Sequence, residues 1–472
     1  MNEQEMAASL AALLAEDQVM SGDAVKRAYD CDAYTVERRF PDVVVYPKST
    51  EEVANVVRWC IQNSIPYTPR GAGTGLSGGA LPACGGVVVA LTKMRKILEV
   101  DAENRIMLAE AGCPNLALSK AAAQFGLHFA PDPSSQTVCS LGGNISENSG
   151  GPHTLKYGVT TDHILGVKMV DGEGNIREFG GKIAGFSGYD LVGLVVGSEG
   201  TLGIVTEAWI RLTPVPTKIR TLLAAFSTPI EATQTVSDII AAGIIPAAME
   251  FMDQTILQAV EAAFHTGLPT EAGALLLIEC DGENADAEIA IVERIANNRN
   301  AIQERIAKDE EERAALWTAR KKSIGAVGRI AASMVTHDGV IPRSRLPEVL
   351  EFVYATAKEY GLRVANIFHA GDGNLHPIFL FDDRNEDEVD RVVRAGEAVI
   401  RKCIEEGGSV TGEHGIGVEK IDLLGEMFTP EDLRLQDDVR RAFLPSDLCN
   451  PGKVLPTQKA CVEVRVKRRA AH

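Results

Sequence analysis

The chain has 472 residues, 45% of them apolar, and its 47 basic and 65 acidic side chains leave a formal charge of −18. That length allows roughly two to four domains with sizeable cores. The charge excludes a nucleic-acid surface and means that an anionic substrate needs a local positive site.

The N-terminal run M-N-E-Q-E-M-A-A-S-L has no basic n-region, and no apolar run approaches the roughly 18 residues of a membrane span. A cytoplasmic location is therefore expected, with peripheral attachment at the inner face of the membrane still compatible. Nine cysteines are scattered without a C-x-x-C pair. They read as reduced, mostly packed thiols rather than a disulfide framework or an iron–sulfur cluster.

Residues 5–16 have helical apolar spacing, and Asp42 to Tyr46 is a short β-rich run. S-T-E-E-V-A-N-V-V-R-W-C follows, with Ser49 and Thr50 as cap candidates, so a helix follows a strand. A strand at Ile65 to Thr68 then runs into P-R-G-A-G-T-G-L-S-G-G, where Gly71, Gly73, Gly75, Gly78 and Gly79 would be entropically costly unless the backbone needed them. Such a loop can lay N–H groups against a diphosphate. It is neither a Rossmann fingerprint, because Leu76 stands where the third glycine belongs, nor a Walker loop, because Gly79 and Ala80 replace Lys and Ser or Thr. A dinucleotide cradle and an ordinary loop both remain open on these residues. A second glycine-rich block spans 131–153 and a third 188–207. Between them, β-like runs at Ile164 to Val170 and Asn175 to Phe179 are joined by D-G-E-G, a hairpin signal.

After Pro214 and Pro216 the glycine loops give way to β-like runs at Thr221 to Phe226 and Leu275 to Cys280, with a charged helical stretch at Ala285 to Glu312. This predicts an α+β domain over 217–430. E-R-A-A-L-W-T-A-R-K-K places Arg313, Trp317 and either Arg320 or Lys321 on one helix face. I-F-H-A-G-D-G-N-L-H-P carries a two-residue turn signal, Asp372-Gly373, which would set His369 directly opposite His376. Two facing imidazoles are either a hydrogen-bonded pair or two ligands of one divalent ion. In S-V-T-G-E-H-G-I-G, Gly412, Gly415 and Gly417 permit a turn that brings Glu413 and His414 to one cavity. Glu413 would complete a two-histidine, one-carboxylate site with open positions, suited to zinc, manganese or iron(II).

The three glycine blocks, with H-x-G-D-G-N-L-H and G-E-H-G, resemble the D-2-hydroxy-acid dehydrogenase branch of the vanillyl-alcohol oxidase superfamily from about residue 38 to Lys453. The resemblance implies an α+β fold, with a two-subdomain PCMH-type FAD-binding domain and an α+β cap bearing an antiparallel sheet. The implied divisions are a helical segment at 1–37, the FAD domain at 38–216, the cap at 217–430, and a return to the FAD domain at 431–472 that ends in a solvated basic tail, Arg465 to Arg469. FAD is expected to be non-covalent, since the first loop has no histidine. Its pyrophosphate would lie on Arg70, Gly71, Ala72, Gly73, Thr74, Gly75, Leu76 and Ser77. Pro131, Asp132, Thr137, Gly142, Gly143, Asn144, Asn148, Gly150 and Gly151 of the second block would hold the rest of it, together with Glu199, Gly200, Gly203 and Ile204 of the third. Asn450 in D-L-C-N-P-G-K is a further flavin-site candidate.

The same resemblance assigns His369, His376 and Glu413 as metal ligands and Arg320 as the anchor of the substrate carboxylate. His414 is then the base that takes the hydroxyl proton while hydride leaves for the flavin. Dicarboxylate-specific members carry a lysine and an asparagine where this chain has Thr336 and Ile378. A small monocarboxylic acid, D-lactate or glycolate, is therefore favoured over D-2-hydroxyglutarate. An alternative is a flavin subunit that works only with an electron-transfer partner: an iron–sulfur subunit, an electron-transfer flavoprotein, a cytochrome or a quinone.

Overall fold

The computed structural model describes residues 1–183, 185 and 188–456, so the basic end at 465–469 lies outside the described residues. The chain divides into two units, one made of Met1–Gly150, Val159–Val215 and the segment from His414 onward, the other of Gly151–Gly158 and Pro216–Glu413. The chain thus returns to the first unit at His414 rather than at 431.

The first unit holds two larger sheets and a two-stranded one that pairs Leu127–His128 with Thr213–Pro214. In one, the short strands Val43–Val45 and Tyr67–Arg70 flank Val87–Ala90 in parallel, and Val19–Met20 adds an antiparallel edge. The valine runs are buried on both faces, as parallel strands require. Helix Thr50–Gln62 starts where Ser49 Oγ accepts from the Glu52 amide at 3.2 Å, with Glu51 and Glu52 in its positive first turn. It buries Val53, Val56, Val57 and Trp59 against this sheet, each worth about 1.5–3 kcal/mol of burial. The second sheet is five antiparallel strands in the order Ile97–Asp101, Ile106–Glu110, Ile204–Arg211, Ile164–Val170 and Ile176–Gly180. Among the described residues seven cysteines are free thiols, six of them buried, while Cys84 is disulfide-bonded, against the expectation of reduced thiols throughout.

The second unit is built on a nine-stranded sheet whose pairings are all antiparallel. Its central strands read as unbroken apolar runs because both faces are covered. Leu222, Ala224 and Phe226 pack with helices Pro229–Ala241, Ala285–Asn298 and Leu346–Glu359. Leu223 and Ala225 face the opposite way, with Gln254–Phe264 and Glu310–Lys321. The expected helix from Ala285 to Glu312 is in fact two helices. The first ends at Asn298, Asn300 takes a left-handed φ of +62°, and Gln303–Ile306 pairs as an edge strand with Leu222–Ala225 before the second begins at Glu310. The polar run N-N-R-N breaks the helix, and four residues suffice for an edge strand.

The His369 hairpin also differs from expectation. His369 lies opposite Asn374, not His376, and the same register continues through Asn366 opposite Pro377. The loop is therefore four residues, 370–373, with Gly373 at φ +81° and the Asp372 carboxylate accepting from the Asn374 amide at 3.2 Å. A shift of two residues keeps parity along a strand, so the two histidines remain on one face as diagonal neighbours. Their rings sit 5.1 Å apart, nearly perpendicular.

Candidate active site

In the second unit, strand Arg363–His369 ends on His369, and strand Ala248–Asp253 beside it places Glu250 directly across from it. Glu250 Oε1 meets His369 Nδ1 at 2.7 Å, which leaves Nε2 facing Glu413 Oε1 at 3.2 Å. His376 Nε2 lies 3.4 Å from that same Glu413 oxygen. One ligand atom from each of His369, His376 and Glu413 falls within 4.8 Å of the others. Ligands about 2.0–2.1 Å from a tetrahedral ion are about 3.3 Å apart, so both nitrogen-to-Glu413 separations fit a cation between them. The donor set of two imidazoles and a carboxylate suits a divalent metal. Burial pulls the His369 pKa down, and the carboxylates of Glu250 and Glu413 outweigh it, holding the pKa well above the usual imidazole range. Without a metal, a proton on His369 supplies the counter-charge that the two carboxylates demand.

Glu413 is presented by a turn fixed by Asp338, whose Oδ1 also lies 3.4 Å from His376 Nε2. The fully buried Asp338 accepts from the Thr411 hydroxyl at 2.5 Å and the Gly412 amide at 2.9 Å. Helix Glu310–Lys321 begins on an Asp309 cap and carries Arg320 in its last turn. Arg320 is only 3% exposed. Its Nη2 meets Glu250 Oε2 at 2.5 Å as an ion pair without the angle of a directed hydrogen bond, and its Nε is buried with no hydrogen bond. A buried guanidinium with an unspent edge fits a carboxylate ligand. Asn374 Oδ1 is likewise buried without a hydrogen bond. Thr336 and Ile378, distant in sequence, are direct cross-strand partners.

In the first unit, the loop after strand Tyr67–Arg70 has the open backbone that a phosphate needs. Among the described residues, the amides of Ala72 to Ser77 donate no hydrogen bond to the protein, and the buried Ser77 Oγ has none. These features fit a diphosphate nest. Arg70 instead shapes the loop from below, donating to the Cys31 carbonyl at 2.8 Å with its guanidinium 5.0 Å from the Tyr29 ring centre. In the second block, Asn144 Nδ2 donates to Asn115, which in turn holds the Pro131 carbonyl, each at 2.9 Å. Ser140 caps the Gly143 amide, Asn148 ends the short helix Leu141–Glu147 in a left-handed turn, Thr137 is exposed, and Gly151 belongs to the second unit. Glu199 accepts the amides of Ile416 and Gly417 at 2.6 Å each, fixing the turn just after the half-buried His414. Asn450 is committed as well, donating to the carbonyls of Gly79 and Glu199 and accepting from the buried Lys453. Burial raises the carboxyls of Glu147 and Glu199 above their usual range.

Residues 41–180 match the model described as FAD binding domain, and residues 215–454 match FAD linked oxidases, C-terminal domain. The chain belongs to the FAD-linked oxidase family. Glycolate oxidase subunit GlcD of Escherichia coli (strain K12) is 43% identical over 92% of this chain and 88% of the relative, and its namesake from Bacillus subtilis (strain 168) is 41% identical over 92% and 93%. D-lactate dehydrogenase of Anaerostipes hadrus is 34% identical over 93% and 95%. Among solved structures, p-cresol methylhydroxylase with substrate bound superposes with a TM-score of 0.81 at 19% identity, covering 96% of each chain. That likeness carries the PCMH-type fold alone.

Three residues that organise this FAD-linked oxidase escaped the sequence reading: Glu250, Asp338 and Glu279. Glu279 is buried and accepts from Arg313, from Trp317 Nε1 at 2.7 Å and from the Thr221 hydroxyl at 2.7 Å, tying down the helix that carries Arg320. The available signal was an acid flanked by apolar residues inside a β run: A-M-E-F-M-D for Glu250 and L-L-L-I-E-C-D for Glu279. A charge there has to face a partner or a ligand. Among the described residues no helix is long and apolar enough to cross a membrane.

Proposed function

We propose that this FAD-linked oxidase converts a small D-2-hydroxy acid, D-lactate or glycolate, to its 2-oxo acid. The observation that carries the reading is the trio of buried His369, buried His376 and half-buried Glu413 at metal-ligand spacing, in one unit with a buried arginine whose Nε is unspent. FAD when bound supplies the hydride acceptor at N5, and a divalent ion held by the trio would lower the pKa of the substrate hydroxyl. The chain supplies the rest. Arg320 anchors the carboxylate and fixes which hydrogen of the α-carbon is presented. His414, the residue after Glu413, takes the hydroxyl proton as the hydride leaves, a role worth about 10²–10⁴ in rate. A neutral Thr336 opposite Ile378 offers no cation to a second carboxylate, which favours a monocarboxylic acid over D-2-hydroxyglutarate.

The test is anaerobic bleaching of the bound flavin by D-lactate, glycolate and D-2-hydroxyglutarate in metal-replete protein. Bleaching by the small acids is expected; none with any 2-hydroxy acid would overturn the reading. His369→Ala and His376→Ala should lower metal content and turnover together. His414→Ala should keep the metal and stop bleaching, and the opposite pattern would reverse the assignment. A second reading, a flavin subunit that works only within an electron-transfer complex, is favoured by the word "subunit" in the names of two relatives. It predicts bleaching only after an electron-transfer partner is added.

A further inference from the structure

The reaction proposed above needs two fixed points, a metal and a carboxylate anchor, and one side chain touches both. Glu250 is completely buried, and its two oxygens go to different partners: Oε1 to His369 Nδ1 at 2.7 Å, Oε2 to Arg320 Nη2 at 2.5 Å. It sits mid-sheet, paired with His369 on one side and with Leu277 on the other, so its backbone cannot drift. The Nδ1 contact fixes which nitrogen of His369 faces the metal position, as partners of metal-bound imidazoles do. The Arg320 contact neutralises a guanidinium that is otherwise buried without an anion.

We propose that Glu250 is a positioning residue shared by the two halves of the site. It sets the tautomer of His369 and the place of Arg320 at once, so that metal binding and substrate-carboxylate binding are coupled through one carboxylate. This rests on the function proposed above. Its distinctive consequence is reciprocal: a change at Arg320, which is no ligand, alters metal affinity, and a change at Glu250 alters both metal and substrate binding. A carboxylate that merely balanced the charge of Arg320 in the core would leave the affinity of His369 for metal untouched.

The experiment uses full-length, FAD-loaded protein stripped of metal. Zinc(II) affinity is measured by competition with a chromophoric chelator, and the KM for glycolate from steady-state turnover at saturating zinc, with a dye that accepts the two electrons from the reduced flavin. Glu250→Gln, which keeps shape and an acceptor for His369 but loses the charge, should bind zinc about 10–100-fold more weakly. At saturating zinc it should regain turnover while its KM stays raised. Arg320→Met should shift zinc affinity by at least threefold. Zinc affinity and KM within twofold of wild type in Glu250→Gln overturn the proposal, as does an unchanged zinc affinity in Arg320→Met. Should Glu250→Gln fail to retain FAD or a cooperative melt, Glu250→Asp decides by the same limits, since it keeps the charge but falls one methylene short of both partners. Failure of the wild type itself to bind zinc would instead count against the metal reading of the function.

Discussion

His369 sets how the proposed metal site should respond to pH. In the metal-free protein its pKa is held well above the ordinary imidazole value, with burial opposed and outweighed by Glu250 and Glu413. A metal must therefore displace a proton. Below the pKa of His369 the apparent metal affinity should fall about tenfold per pH unit, and above it the affinity should level off, with about one proton released per ion bound. Metal titrations in weakly and strongly protonating buffers, followed by calorimetry, check this. Pairs such as His369 and His376 are legible in a sequence because so few residue types bind metals. Their carboxylate neighbours are not. Asp338 and Glu250 are ordinary letters whose burial depends on which strand lies beside them, and that is decided by pairings more than a hundred residues apart.

Helix Glu310–Lys321 owes its place to Glu279. Arg313 donates to that carboxylate from Nε at 2.9 Å and from Nη2 at 3.0 Å, and Trp317 donates from the next turn. Burial works against the Glu279 anion, but His153 and Arg313 hold its pKa below the usual carboxylate range. A depressed pKa stabilises the fold fully above the unfolded value of about 4.3, and the gain shrinks below it and is gone once pH has fallen through the folded-state value. Removing one partner of a buried pair costs about 3–5 kcal/mol. Glu279→Ala should lose about that much in chemical denaturation at pH 7 and somewhat less near pH 3, the difference vanishing only as pH falls through the depressed folded-state value, and should raise the KM for substrate through Arg320. The element itself was visible in E-R-A-A-L-W-T-A-R-K-K, and the three acids Glu310 to Glu312 at its start with Arg320 and Lys321 at its end agree with a helix dipole. Its separation from Ala285–Asn298 was hidden, since a four-residue edge strand is too short to show a period.

Across the whole molecule, the proposed flavin-loop residues and the proposed metal ligands follow separate stretches of chain. Every flavin-loop residue named above except Gly151 belongs to the first unit, and His369, His376 and Glu413 belong to the second. A chelator should therefore remove the metal and leave the flavin. Dialysis against EDTA is expected to empty the metal site while the yellow absorbance stays with the protein, and joint loss of both would contradict this. The glycine blocks made the first unit readable, because repeated glycine is hard to explain without a ligand against the backbone. The early return of the chain was not readable. It occurs between Glu413 and His414, inside one motif, where composition does not change.

The hairpin of His369 and His376 constrains how such a chain can vary over evolutionary time. Its four-residue loop reaches the face that a two-residue turn would also have reached, because faces along a strand repeat every second position. Insertions and deletions between the two histidines should therefore be tolerated in pairs and purged singly. A lineage that lost one residue there would keep both imidazoles and yet turn one of them away from the proposed cation position.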